Sequence, residues 1–365
     1  LQYPVIGQAY ENKVREILNL FLDNDQGAHL MDEYAGFMTR GGVDNIVEAS
    51  QAQWDYHPRK NKKGIWYGNF NSTLLPNRTF TDYVQYSKDF ITIGGYGRSN
   101  LAAKQADSAI PTKPVITHVG AAEFPADDLT FTSSVFSDPQ GAGTFGSMEW
   151  RIGRVRNLST PDYLPGDRYV YELETFYQSP SIINFTTNYT FPTIETRVGN
   201  TYRARVRHID DTGKASHWSD PIEFTANEPD VSSYSNSLVI SEIMFHPTSI
   251  STAEFVEIHN VGPAPVDLTE VRFTKGLDFD FPDGMTIATG AYLLVVGDTN
   301  AFTAVYGPGL PIAGQWESGD RLNNGGENIK LTLGSGTAIH EFEYGILPPW
   351  PPGPSGLGYS LTLAC

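Results

Sequence analysis

At 365 residues the chain exceeds what one hydrophobic core serves, since domains cluster at roughly 100–150 residues, and three domains are expected. Its 42 acidic residues against 25 basic ones, a net charge of -17, repel phosphate backbones and anionic membranes and so exclude nucleic acid as a partner. Charged residues are only 18% of the total while glycine, proline, tyrosine and phenylalanine abound, the balance of short strands joined by tight turns. The single cysteine, Cys365, excludes an intrachain disulfide, and no apolar run reaches the roughly 18 residues of a membrane span. Starting at Leu1 with no initiator Met or signal peptide, the chain reads as an interior piece of something longer.

Residues 1–108 are expected to be helical. Val14, Ile17, Leu18 and Phe21 fall on one helical face, and Leu30, Tyr34, Phe37 and Met38 repeat the pattern after the LDNDQGA turn. A third helix is expected from an N-cap at Asp44 to about Trp54, and a fourth from Thr81 with Tyr83, Tyr86, Phe90 and Ile91 on one side. PRKNKKGIWYGNF lies between them as a basic loop, and GGYGRSN with LAAKQADSAIPTKP closes the region as a turn and a Pro-stiffened linker.

From 109 to 227 strand signals recur at Leu129–Phe131, Met148–Val155, Tyr169–Glu174, Tyr202–Ile209 and Ile222–Thr225, enough for one sandwich of about seven strands. Arg203, Arg205 and Arg207 alternate with apolar residues and so share one strand face, with Trp218 nearby. Their expected role is a structural cation–π ladder on a solvated face; an anion-binding strip is the rival. A polar linker, 228–236, leads to strands at Leu238, Phe255–Asn260, Tyr292–Val296, Ile329–Leu333 and Ile339–Tyr344, with a last strand in GYSLTL.

Three motif sets carry resemblances. LVISEIMFHPTSISTAEFVEIHN (238–260) with LNNGGENIKLTL (322–333) resembles the lamin-tail domain, an immunoglobulin-like sandwich of interaction rather than catalysis, and 237–365 is expected to be such a unit, truncated at its end. Trp150 and the corner Val198-Gly199-Asn200-Thr201-Tyr202 make 109–227 similar to a fibronectin type III domain. The helical hairpin, VEASQAQWDYHPR at 47–59 and the Tyr-rich helix, in this order before two sandwiches, resemble the end of a CotH-type kinase domain in secreted bacterial multidomain proteins. That family's ATP-binding lysine, catalytic aspartate and magnesium ligands belong to segments upstream of Leu1. The implied fold is mainly β with an N-terminal α-helical region and two Ig-like sandwiches.

Chemistry within the chain itself is sparse. Gly94-Gly95-Tyr96-Gly97 lacks the lysine and spacing of a nucleotide loop, and Asp55 and His57 fit a turn locked by Pro58. A calcium loop starting at Asp23 fails three requirements, two ligands and the turn glycine, whereas Asp278, Asp280 and Asp283 offer hard oxygen donors in an acidic loop. No zinc set or Gly-x-Ser-x-Gly elbow is present. Glu254 and Glu257 point to opposite faces; Glu242, Glu254 and Glu327, with Asn260 and the Asn323-Asn324-Gly325-Gly326 turn, are expected to hold structure. Asn71, Asn77, Asn157, Asn184 and Asn188 are glycosylation sequons, and the Pro-rich 348–354 run is a stiff loop with a polyproline ligand as its rival.

The expected function is therefore non-catalytic: an extracellular or cell-envelope array for adhesion, display or binding of a protein or surface glycan, without cofactor. The alternative is the targeting half of an atypical CotH-like protein kinase, with magnesium-ATP bound only where the upstream core is present.

Overall fold

A computed structural model describes residues 4–23, 25–39, 47, 80–104 and 106–363. The expected Asp44–Trp54 helix, nearly all of the 47–59 motif, Asn71, Asn77 and Cys365 lie outside them. The chain is mainly β with an N-terminal helical region, as its composition implies, and divides into two compact units. The first comprises 1–119, 131–189 and 200–225; the second comprises 120–130, 190–199 and 226–365.

In the first unit α1 (Pro4–Leu20) and α2 (Gln26–Thr39) are joined by the acidic turn. Asp23 Oδ1 accepts from the backbone N–H of Asp25 (3.2 Å) and of Gln26 (2.8 Å), so its carboxylate starts α2 rather than binding calcium. Val14 and Leu18 are buried as the apolar stripe requires. Helix α3 (Phe80–Ile91) is tied to α2 by Lys88 and Asp32 at 2.8 Å. The expected linker after it is instead helix α4 (Tyr96–Lys104), whose Arg98 donates to the carbonyls of Leu18 and Leu22 at the end of α1. Gly95 makes the reversal: a Cβ there lies 2.1 Å from Asp89 O. Only the first part of that linker is helical: 106–115, with Pro111 and Pro114, carries no helix or strand, and the two glycines that marked the turn masked the helix-forming residues just behind it.

The middle sandwich pairs a three-stranded sheet, β1 (Ile116–His118), β2 (Thr130–Ser133) and β5 (Asn188–Thr190), with a four-stranded sheet in the order β4-β3-β6-β7. These last are β4 (Thr175–Gln178), β3 (Phe145–Val155), β6 (Thr201–Asp210) and β7 (Ile222–Thr225). β3 and β6 run antiparallel from Phe145↔Asp210 to Val155↔Thr201 and set the frame. One face of this sheet carries Met148, Trp150, Ile152, Tyr202, Ala204 and Val206, all fully buried. Trp150 stacks on Tyr189 (5.6 Å, 12°), and Asn200 Nδ2 donates to the Tyr202 hydroxyl at 3.4 Å. The expected strand Tyr169–Glu174 does not form. Only Val170 bridges to Arg156, because Glu172 turns inward to meet arginines of β6.

The second unit packs two larger sheets face to face. One has the order β15-β14-β9-β8-β18 and the other β12-β11-β16-β17, with a short β10-β13 ribbon. The first contains β8 (Leu238–Met244), β9 (Phe255–Asn260), β14 (Tyr292–Val296), β15 (Ile312–Gln315) and β18 (Leu361–Thr362). The second contains β11 (Val271–Lys275), β12 (Phe279–Asp280), β16 (Gly326–Leu333) and β17 (Thr337–Gly345); the ribbon is β10 (Val266–Asp267) with β13 (Thr286–Ile287). Inward residues of both sheets, including Ile243, Val256, Ile258, Phe273, Ile329 and Leu331, form one core. β15 runs parallel to β14, so a crossover is needed, and helix α5 (Thr299–Tyr306) supplies it. Asp298 caps that helix by accepting from Ala301 N at 2.8 Å, and Phe302 packs with Phe255, Leu294 and Val296 on the sheet's outer face.

Candidate interaction sites

The arginine face of β6 is covered, not solvated. Arg203 and Arg205 are buried, Arg203 against the turn between α1 and α2 and both against Glu172. Arg203 reaches Glu223 (2.9 Å), Glu172 (3.2 Å) and Asp25 (3.1 Å), while Asp23 stands at 3.6 Å. Arg205 clamps Glu172 with Nε on one oxygen and Nη2 on the other at 2.9 Å, and gives Nη1 to Ser219 O at 2.7 Å. Arg207 holds Glu149 at 2.7 Å and meets Glu16 at 3.5 Å. Two guanidinium groups lie over the Trp218 ring, Arg207 at 4.5 Å and Arg151 at 5.7 Å from its centroid.

Electrostatics follow from this crowding. Burial opposes ionisation of Asp25, yet the hydrogen bond and charge of Arg203 hold its carboxyl well below the usual range; burial and the neighbouring Asp25 push Asp23 up. Burial lowers Arg151 to about 10. Every arginine of the strip already has carboxylate partners, so the face is a structural joint between helices and sheet, with no free anion strip.

In the second unit the motif residues hold turns. Glu254 is buried, accepts from Leu322 N at 3.2 Å, and is raised by burial to about 7. Glu327 accepts from Asn323 N and from the Tyr344 hydroxyl at 3.1 Å; Tyr344 also donates to Asn323 O at 2.9 Å. Asn323 Oδ1 accepts from Gly325 N at 2.8 Å, and Gly326 sits at φ +102 where a Cβ lies 2.5 Å from Tyr344 O, so this position requires glycine. Asn324 is exposed at the tip. Glu257 accepts from Ser241 Oγ at 2.8 Å and Glu242 accepts from Ser360 Oγ. Asn260, fully buried, donates to Ala264 O and Ile287 O and accepts from Gly262 N, each at 2.9 Å.

The acidic loop does not assemble. Asp280 is drawn to Arg272 at 3.1 Å, and no group of three or more His, Cys, Asp or Glu side chains converges among the described residues. Asp278, Asp280 and Asp283 are all exposed and form no calcium cage.

Missed by sequence reading is an apolar groove of about 360 Å³ along the edge of the five-stranded sheet. Ile240 and Ile243 of β8, Leu361 and Leu363, Phe342 of β17 and Trp350 line it. β18 covers β8 only at Leu361↔Ile243 and Thr362↔Glu242, with Leu363 N donating to Ser241 O at 2.8 Å. The Pro-rich run is the wall of this groove: Trp350 packs toward Gly345, where a Cβ is 3.0 Å from its Cδ1. Leu347, Leu357, Tyr359 and Leu363 stand exposed along the same segment. The short terminal strand and the run of exposed apolar residues were the available signal.

No helix among the described residues is long and apolar enough to cross a membrane. No curated protein matches the chain. The family model described as Lamin Tail Domain matches residues 231–345, so the C-terminal sandwich contains a lamin tail domain.

Proposed function

We propose that this chain is a non-catalytic part of a secreted or envelope-bound multidomain protein, and that its lamin tail domain docks an extended segment of a protein partner. The groove beside β8 and β18 carries the reading. An extended peptide adds its main chain to a sheet edge and seats alternate side chains in an apolar trough, which is the chemistry that groove offers. Glu254 and Glu327 are engaged by backbone donors and Glu172 by arginines. Within the same proposal, 109–227 is a fibronectin type III-like spacer, supported by its three-plus-four strand arrangement, and 1–108 is the helical end of a CotH-like domain.

The test is selection of peptides from a random library on the whole chain, followed by titration against Leu363→Arg, a change at an exposed rim position. Peptides that lose tenfold or more in affinity with Leu363→Arg support the groove. Peptides unaffected by it, or a glycan response instead, transfer binding elsewhere. The kinase-targeting alternative is addressed by calorimetry with magnesium-ATP on this chain and on one extended upstream of Leu1: binding by the longer chain alone favours it.

A further inference from the structure

A second cavity, of about 420 Å³, lies in the first unit and is lined by Arg15 and Leu18 of α1, Ala102 of α4, Asp107 and Ile110 beyond it, and His217. Arg15 sits on the buried side of its helix, only 1% exposed. Its Nη2 donates to Asn12 Oδ1 at 2.6 Å, while Nε and Nη1, both shielded from solvent, have no hydrogen-bond partner among the described residues. A guanidinium carries five N–H donors and does not shed its proton, so most of its bonding capacity is unspent. Leaving such a charge uncompensated in the interior is strongly unfavourable.

We propose that this cavity binds a small organic acid, its carboxylate on Arg15 and its apolar body against Leu18, Ala102 and Ile110. Two observations decide the class. The positive group makes no direct ion pair among the described residues: Glu11, Asp107 and Asp210 act on it only through their charge, and Asp107, the acid on the wall, is paired with Lys214 at 2.7 Å and caps Ala109 N at 2.8 Å. Asp210 accepts from Thr212 N and Lys214 N, each at 2.9 Å, and is likewise engaged. The volume and the aliphatic walls exceed what a bare inorganic oxyanion fills and suit a carboxylate with a hydrocarbon body. Ala106 and Ser108 are exposed at the same site, which gives an entry from solvent.

His217 is a reporter built into the wall. Asn19 Oδ1 accepts from Trp218 N at 3.2 Å, which fixes that oxygen as an acceptor and places the imidazole proton on Nδ1, 3.0 Å away. Burial and the charges of Arg15, Lys113 and Arg98 hold the ring below its ordinary pKa, so an anion entering the cavity relieves part of that field.

The experiment is titration of the whole chain with benzoate, with benzamide as its uncharged isostere and inorganic phosphate as a bare anion, read by calorimetry and by the His217 ring resonances. Benzoate binding at least tenfold tighter than benzamide, with movement of the His217 signals, supports the site. Arg15→Met, which keeps the length and removes the charge, is expected to abolish it while retaining or raising the unfolding temperature. Should Arg15→Met not fold, Ala102→Leu fills the cavity with the charge intact and is expected to block benzoate. Equal binding of benzoate and benzamide, binding of phosphate without benzoate, or no binding of either acid overturns the proposal. So does unchanged benzoate affinity in Arg15→Met, or in Ala102→Leu.

Discussion

Arg205 and Glu172 form a two-pronged ion pair in which the carboxylate is wholly buried, Nη2 lying 2.9 Å from Oε2 with Nε on the other oxygen. The same carboxylate accepts from Arg203 at 3.2 Å, so one acid neutralises two interior cations. Glu172→Ala is expected to destabilise the first unit by about 3–5 kcal/mol, because two guanidinium groups are left with a shared partner missing. Denaturant unfolding followed by Trp150 and Trp218 fluorescence checks this. Adding Arg205→Met to Glu172→Ala should recover part of the loss, and a double variant no more stable than the single one would contradict the pairing.

Trp218 carries the guanidinium groups of Arg207 and Arg151 over its ring and is nearly inaccessible. Trp218→Ala is expected to cost about 3–5 kcal/mol and to lower the midpoint of thermal unfolding. Trp218→Leu separates volume from ring chemistry, and the residual cost beyond packing should be roughly 0.5–2 kcal/mol. An unchanged midpoint in Trp218→Ala would remove the ladder from the stability of this face.

Asn260 replaces three backbone partners with one side chain: two carbonyls and one N–H of the loops around it. Asn260→Ala strands Gly262 N and Ile287 O away from water and frees the carbonyl of the exposed Ala264, and is expected to cost about 2–4 kcal/mol in the second unit. Asn260→Asp keeps the acceptor, loses both donors and buries a charge, so it should be at least as damaging. Thermal scans of the two variants against the parent decide the point.

Glu254 and His208 should contribute pH slopes of opposite sign, Asp23 of the first unit sharing the sign of Glu254. Burial raises Glu254 to about 7, so the native second unit binds its proton more tightly than the unfolded chain does. That stabilisation is fully present below the ordinary glutamate value and is lost as pH rises through about 7, a change of roughly 1–2 kcal/mol once solvent screening is allowed for. Glu254→Gln keeps an acceptor for Leu322 N and should abolish the slope. In the first unit burial lowers His208 to about 4, and its Nε2 lies 2.9 Å from Ser133 Oγ. Its contribution is present above about 6.5 and is lost as pH falls through about 4. Denaturant midpoints from pH 4 to 8, parent against Glu254→Gln and against His208→Gln, test both signs.

Strands with large alternating residues were legible: β3, β6 and β7 emerge from Met148, Trp150, Tyr202 and Phe224 because period-two burial leaves its mark in one segment. The shared face of Arg203, Arg205 and Arg207 was legible for the same reason. What covers it was not, since Asp25 lies 178 positions from Arg203 and local pattern carries no information about such partners. Glu172 misled the strand assignment at Tyr169–Glu174, where alternating tyrosines resembled a ladder. Arg15 stands three residues before Leu18 and so on the apolar stripe; that spacing was the signal for its burial. Helix α5 escaped because eight residues carry little more than Phe302 and Tyr306 as pattern.

The strand β18 bears on how the second unit is made. Ser360 and Glu242, which bond across β8 and β18, are separated by 118 positions, so a ribosome must lay down almost the whole unit before the outer side of β8 can be closed. Until then β8 offers an unpaired edge to any neighbouring nascent chain, the exposure that promotes wrong pairings. The speed at which this stretch is translated and shielded should therefore govern its yield more strongly than any single contact inside the finished sandwich.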